Sequence, residues 1–140
     1  MKHFPGSLAP DLPGHPEGES LSTVAEYTEW LRGWLHKAGH NKDLVLAGFT
    51  LGACVALQYA LDYPEEVAGL LLMTIAMRPK YRAPGGLEFR LNAAKDEKVH
   101  EEWLDAMRHT MMFIKPDLRE RLIECHRKVG PTSQYNDLVT

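Results

Sequence analysis

The chain has only two cysteines, Cys54 and Cys125, and they stand far apart. That excludes a small scaffold stapled by disulfides. Cys54 falls on an apolar helical face and reads as a buried free thiol. Long hydrophobic runs are also lacking. The longest, Val67 to Met73, is interrupted by Gly69 and falls well short of the ~20 apolar residues that span a bilayer. Charge of one sign is lacking too: 16 basic and 19 acidic side chains leave a net −3, which gives no reason to expect nucleic acid or an anionic membrane as partner. Met1-Lys2-His3-Phe4-Pro5-Gly6 holds no apolar segment of a secretory signal. A metal-ligand set is missing as well. His36 and His40 are separated by the helix-ending Gly39, and no carboxylate or cysteine completes the group. The expectation is a soluble, cytoplasmic chain with neither metal nor cofactor, and at 140 residues one domain's worth of polypeptide.

What is present alternates between helical and strand patterns. Asp11-Leu12-Pro13-Gly14-His15-Pro16-Glu17-Gly18 is a loop, set by its prolines and glycines. Thr23 followed by Glu26 is a capping box. Val24, Tyr27, Leu31, Trp34, Leu35 and Ala38 then recur at helical spacing up to Gly39. Leu44–Ala47 predicts a buried strand, and Leu51, Cys54, Val55, Gln58 and Tyr59 trace one face of a helix stopped by Pro64. Val67–Met73 predicts a second strand. Continuous apolar strands alternating with helices predict a parallel sheet covered on both faces.

The character changes after Thr74. Arg78 to Gly86 is a basic, proline- and glycine-rich linker, and Leu87, Leu91 and Ala94 suggest a short helix. Trp103, Leu104, Met107, Met111 and Ile114 mark one helix face. Leu118, Leu122, Cys125 and Val129 mark the buried side of another that starts at Pro116-Asp117. Gly130-Pro131 is expected to end it, with Tyr135–Thr140 as a loose tail. The fold class is α/β: a small parallel sheet of two or three strands flanked by helices, followed by a helical segment. The organisation expected is a core over residues 1–78 and a helical part over 79–140.

The chemistry concentrates at Leu44 to Leu57. A strand, Gly48-Phe49-Thr50-Leu51-Gly52 and a helix follow one another, the order that lifts one side chain above the end of a parallel sheet. The two glycines are expected to let strand and helix approach closely around a strained apex residue. That apex is Thr50. The same glycines do not make a phosphate loop, since the lysine and the glycine spacing are wrong.

These residues resemble the α/β-hydrolase family. The resemblance rests on Ala9-Pro10-Asp11-Leu12-Pro13-Gly14-His15, on Gly48-Phe49-Thr50-Leu51-Gly52, and on Ala56 through Val67, together covering residues 8–78. Residues 86–130 are similar in character to the helical cap that many members insert, and Gly130 to Leu138 more loosely resembles the return from it. The resemblance implies that Thr50 stands where the family carries its nucleophilic serine and that the Leu51 N–H supplies part of an oxyanion hole, with Gly48 and Gly52 as the elbow glycines. It also implies a larger sheet, a triad acid and a histidine that this sequence does not show, so the chain reads as a truncated or internal piece of such a fold. A strand that the family places between Leu8 and Leu44 is missing. Rearranged pairing within the chain, or dimerisation that completes the sheet, is the expected remedy for an open edge.

Other residues read more plainly. Asp11 fits a structural turn rather than a triad acid, His15 braces the same loop, and His109 and His126 are helical histidines not placed beside Thr50 by spacing. Met107, Met111, Met112 and Phe113 read as packing rather than as a substrate pocket. Two functions follow. One is ester- or amide-bond hydrolysis through Thr50, on a small apolar or ester-type substrate, if a complete site is assembled. The other is a catalytically inactive chain that binds a small ligand or forms a homodimer.

Overall fold

The computed structural model describes residues 4–75 and 95–139, of which 131–139 are described as backbone alone. The first helix, α1, spans Val24–Lys37. Its capping box forms as the sequence predicts: the Glu26 N–H donates to the Thr23 hydroxyl at 3.1 Å, and the Glu26 carboxylate accepts from the N–H groups of Thr23 and Ser22. Gly39, at φ 83, follows its end. β1 covers Leu44–Phe49, α2 covers Leu51–Asp62, and a single 3₁₀ turn at Pro64–Glu66 leads into β2, Val67–Met73. The two strands pair in parallel, Val45 opposite Gly69 and Phe49 opposite Met73.

The sheet has two strands among the described residues. Residues 7–10 form no strand. α2 lies on both strands and α1 packs on α2, so among the described residues one face of the sheet is covered, where two were expected. On the other face Val45, Ala47, Phe49, Leu71 and Met73 are exposed, Val45 at 74 %. The core under α1 and α2 is built from Tyr27, Leu35, Ala53, Val55, Ala56 and Tyr59. The buried side of α2 is therefore rotated from the expected one. Val55 and Tyr59 point inward, but the alanines replace Leu51, Cys54 and Gln58, because only small side chains fit where the helix closes on β1. Tyr27 also ties the preceding loop down. Its hydroxyl donates to the Pro13 carbonyl at 3.2 Å and accepts from the Leu21 N–H at 3.1 Å.

The second part is a helical hairpin. α3, Glu97–Thr110, starts at Asp96, whose side chain accepts from the N–H groups of Lys98 and Val99. α4 spans Pro116–Val139, and Gly130 breaks its helical geometry at φ 73, ψ 171. The break falls where the sequence predicts an end, yet the backbone resumes as helix up to Val139 instead of trailing off. α3 and α4 pack on one another around Leu104, Ile123 and His100. Ile123 takes the inward place expected of Leu118 and Cys125, both of which are exposed. Cys54 and Cys125 are free thiols, and Cys54 is half-buried rather than fully buried. The expected short helix at Leu87 to Ala94 lies outside the described residues.

Candidate active site at the β1–α2 turn

β1 ends in a residue forced out of ordinary backbone geometry. Thr50 has φ 52 and ψ −113, a left-handed φ that a β-branched side chain rarely takes. Three bonds hold it there. Its N–H donates to the Met73 carbonyl at 3.1 Å, continuing the ladder to β2, and its own carbonyl accepts from Ala53 at 3.0 Å and Cys54 at 3.2 Å, opening α2. The peptide is fixed to the sheet on one side and to the helix on the other, so the φ between them has no freedom to relax.

The side chain of Thr50 is exposed and makes no cap hydrogen bond to α2. A helix-capping hydroxyl, the plain structural role for threonine at such a turn, is therefore not what it does. Helical bonding begins at the Ala53 N–H, so the N–H groups of Leu51 and Gly52 precede the first bonded donor at the positive end of the helix. The first turn of α2 has no acidic residue to oppose a developing negative charge.

Gly48 makes the turn possible. A Cβ built on it would lie 2.1 Å from the Gly52 carbonyl oxygen and 2.5 Å from the Ala53 nitrogen. Gly52 differs: a Cβ there would meet nothing within 4 Å. The expectation that both glycines serve close approach thus holds for the first only. All four sequence-predicted residues, Gly48, Thr50, Leu51 and Gly52, meet at this elbow. A second β-branched residue, Thr74 at φ 54, ends β2 beside it.

No hydrogen bond joins a described histidine to Thr50. His15 has its Nδ1 3.0 Å from the Pro13 carbonyl and its ring edge on Tyr27, bracing the loop. His36 lies on Glu66, His109 on the Asp105 carbonyl and His126 against Trp103. Among the described residues no group of three or more His, Cys, Asp or Glu is arranged to hold a metal, and no helix is long and apolar enough to cross a membrane.

The sequence reading passed over Glu66. This carboxylate is 6 % exposed. Arg32 donates to its Oε1 from Nη2 at 2.7 Å and Nε at 3.1 Å, while its Oε2 accepts from the Tyr59 hydroxyl at 2.5 Å and lies 3.0 Å from His36 Nε2. The Arg32 bonds above all, aided by Tyr59 and His36, hold the Glu66 carboxyl down at about 2 despite its burial. Burial, then the hydrogen bond to Glu66 and its charge, push the Tyr59 phenol up. Arg32 also stacks 4.0 Å over the Tyr63 ring, and the Tyr63 hydroxyl donates to Glu29. The network clamps α1, α2 and the entry to β2 below the elbow.

The family model for the alpha/beta hydrolase fold matches residues 7–115. The chain belongs to the alpha/beta hydrolase family. Its fold is similar to that of a thermophilic esterase from Thermogutta terrifontis, solved with malate bound. The TM-score is 0.74 at 23 % identity, covering 93 % of this chain and 51 % of that one. The chain thus spans about half the length of that esterase. Among curated proteins no match is found.

Proposed function

We propose that this chain carries the nucleophile position and one oxyanion donor of a hydrolase acting on ester or amide bonds, with Thr50 as the nucleophile. The observation that carries this reading is the strained, exposed, uncapped Thr50 at the head of α2. Strain of this kind persists where the surrounding bonds enforce it and is concentrated at working sites. In the reaction the Thr50 oxygen attacks a carbonyl carbon and gives its proton to a base. The Leu51 N–H stabilises the resulting oxyanion, the leaving alcohol or amine takes the proton, and water then releases the acid from the acyl-enzyme. The base comes from a segment or chain other than the described histidines, none of which is bonded to Thr50. In the same reading residues 1–78 form the core and 79–140 the cap-like part.

Hydrolysis of p-nitrophenyl acetate tests this. The native chain should hydrolyse it slowly. Thr50→Ser, which keeps the hydroxyl and removes the methyl that crowds an attacking oxygen, should be at least as active as the native chain, and Thr50→Ala should fall to the uncatalysed rate. Activity that survives Thr50→Ala removes Thr50 from the mechanism. Equal background rates in all three forms select the second reading, a catalytically silent chain that binds a small apolar ligand or associates with itself.

That second reading has its own support in the bare face of Val45, Ala47, Phe49, Leu71 and Met73. An isolated two-stranded sheet is marginal in water, and these strands carry no charge or proline to keep another chain away. Light scattering at micromolar concentration should give the mass of a homodimer, reduced to that of one chain by Val45→Lys. A one-chain mass for the native protein speaks against self-association.

A further inference from the structure

A second strained threonine closes the strand beside the elbow, and nothing described so far uses it. Thr74 has φ 54, next to φ 52 at Thr50. Both residues branch at Cβ, which the left-handed region penalises, and both are exposed. They stand at the same level of the sheet. Phe49 of β1 pairs with Met73 of β2, so each threonine is the first residue beyond a paired strand end. The Thr50 N–H donates to the Met73 carbonyl at 3.1 Å. That carbonyl belongs to the peptide joining Met73 to Thr74, so the bond sets Thr74 directly beside Thr50. Neighbouring strands lie about 4.8 Å apart, a span that one small acyl ester bridges.

Local structure accounts for the other threonine hydroxyls described. Thr23 caps α1, Thr28 donates to the Val24 carbonyl, and Thr110 donates to the Met107 carbonyl. Among the described residues the hydroxyls of Thr50 and Thr74 have no hydrogen-bond partner. Two exposed hydroxyls free of local bonds thus meet at the carboxyl ends of two parallel strands, the edge at which open α/β sheets take their ligands. Strained backbone persists where its surroundings enforce it and gathers at working sites, and here it occurs twice, on adjacent strands.

We infer that the Thr74 hydroxyl donates a hydrogen bond to the leaving oxygen of an ester attacked by Thr50, an assignment that rests on Thr50 as the nucleophile. A carbonyl whose oxygen turns to the Leu51 N–H places that oxygen on the α2 side of the apex. The leaving group then occupies another corner of the tetrahedral carbon, and β2 supplies the neighbouring donor. As the carbon–oxygen bond breaks, the leaving oxygen takes the electron pair. Thr74 keeps its own proton and holds the developing charge, and the base delivers the proton that it took from Thr50.

Hydrolysis of phenyl acetate and p-nitrophenyl acetate by the full chain and its Thr74→Val form tests this. Valine keeps the shape and the branched Cβ and removes the hydroxyl alone. The kcat/KM on phenyl acetate, whose leaving oxygen keeps most of its charge, should fall about tenfold. On p-nitrophenyl acetate, whose ring withdraws that charge, it should fall less than about threefold. Thr74→Ser should restore both. Should the valine form not fold, Thr74→Ala, free of the branch that a positive φ penalises, serves the same comparison. A disturbed turn lowers both esters by one factor. Equal losses, or none, while Thr50→Ala still abolishes hydrolysis therefore overturn the Thr74 assignment alone. Hydrolysis that does not depend on Thr50 overturns the nucleophile reading and the Thr74 role with it.

Discussion

Gly48→Ala should unfold the elbow. The added methyl would lie 2.1 Å from the Gly52 oxygen, 2.3 Å from the Gly52 carbonyl carbon and 2.5 Å from the Ala53 nitrogen. All three are backbone atoms of the first turn of α2, so no rotamer change relieves the clash. The helix has to lift off β1, yet its inner face of Ala53, Val55, Ala56 and Tyr59 is almost wholly buried, and close-packed contacts lose much of their attraction over even a small gap. A cost of about 3 kcal/mol or more is expected, read as a lower urea midpoint. The same shift would release Thr50 from its bond to Met73. Gly52→Ala is the matched control. Its Cβ meets open space and replaces glycine inside a helix, so it should be neutral or stabilising by up to ~1 kcal/mol. Equal effects of the two substitutions would show that the turn tolerates a side chain at its strand shoulder.

That contrast also shows what could be read from the sequence. The pattern strand, glycine, apex, glycine, helix located the turn, and the bounds of β2 followed from its apolar run between a helix stop and a polar bend. The Thr23–Glu26 box was legible because both partners lie within one turn of chain. Which glycine is compressed was not legible, because the answer depends on how far α2 sits from β1. The same closeness explains the rotated face of α2: apolar periodicity marked Leu51 and Cys54, whereas proximity to the strand selects Ala53 and Ala56. In α4 the adjacent Leu122 and Ile123 belong to competing stripes, and only packing against Leu104 and His100 decides for Ile123. Coverage of the sheet is not legible for a related reason. A run such as Leu70-Leu71-Leu72 is apolar on both sides of the strand, but whether both sides are covered depends on neighbouring elements.

Glu66 is the clearest case of a residue that local pattern cannot reveal. In sequence it is the second of two glutamates after Pro64, with nothing to separate it from Glu65. In the fold its partners Arg32 and His36 come from a helix 34 and 30 residues earlier, and only Glu66 turns inward. The carboxylate joins α1 through Arg32 and His36 to α2 through Tyr59, at the point where the chain enters β2. Glu66→Ala should therefore cost about 2 kcal/mol: the Tyr59 hydroxyl loses its buried acceptor, but Arg32 and His36, each about a third exposed, can be rehydrated, which keeps the loss below that of a fully buried pair. Glu66→Gln should cost less, since the amide oxygen still accepts from Arg32 while the charge is lost. The acid limb of the stability curve tests the same network. Because the folded carboxyl is held at about 2, below its ordinary value of 4.5, the unfolded chain binds the proton more readily. The contribution is complete above the unfolded pKa and drains away as pH falls from about 4.5 toward 2. Urea midpoints of the native chain should drop across that window, and those of Glu66→Gln should drop less steeply. Parallel acid limbs for the two proteins would remove Glu66 as the clamp beneath the elbow.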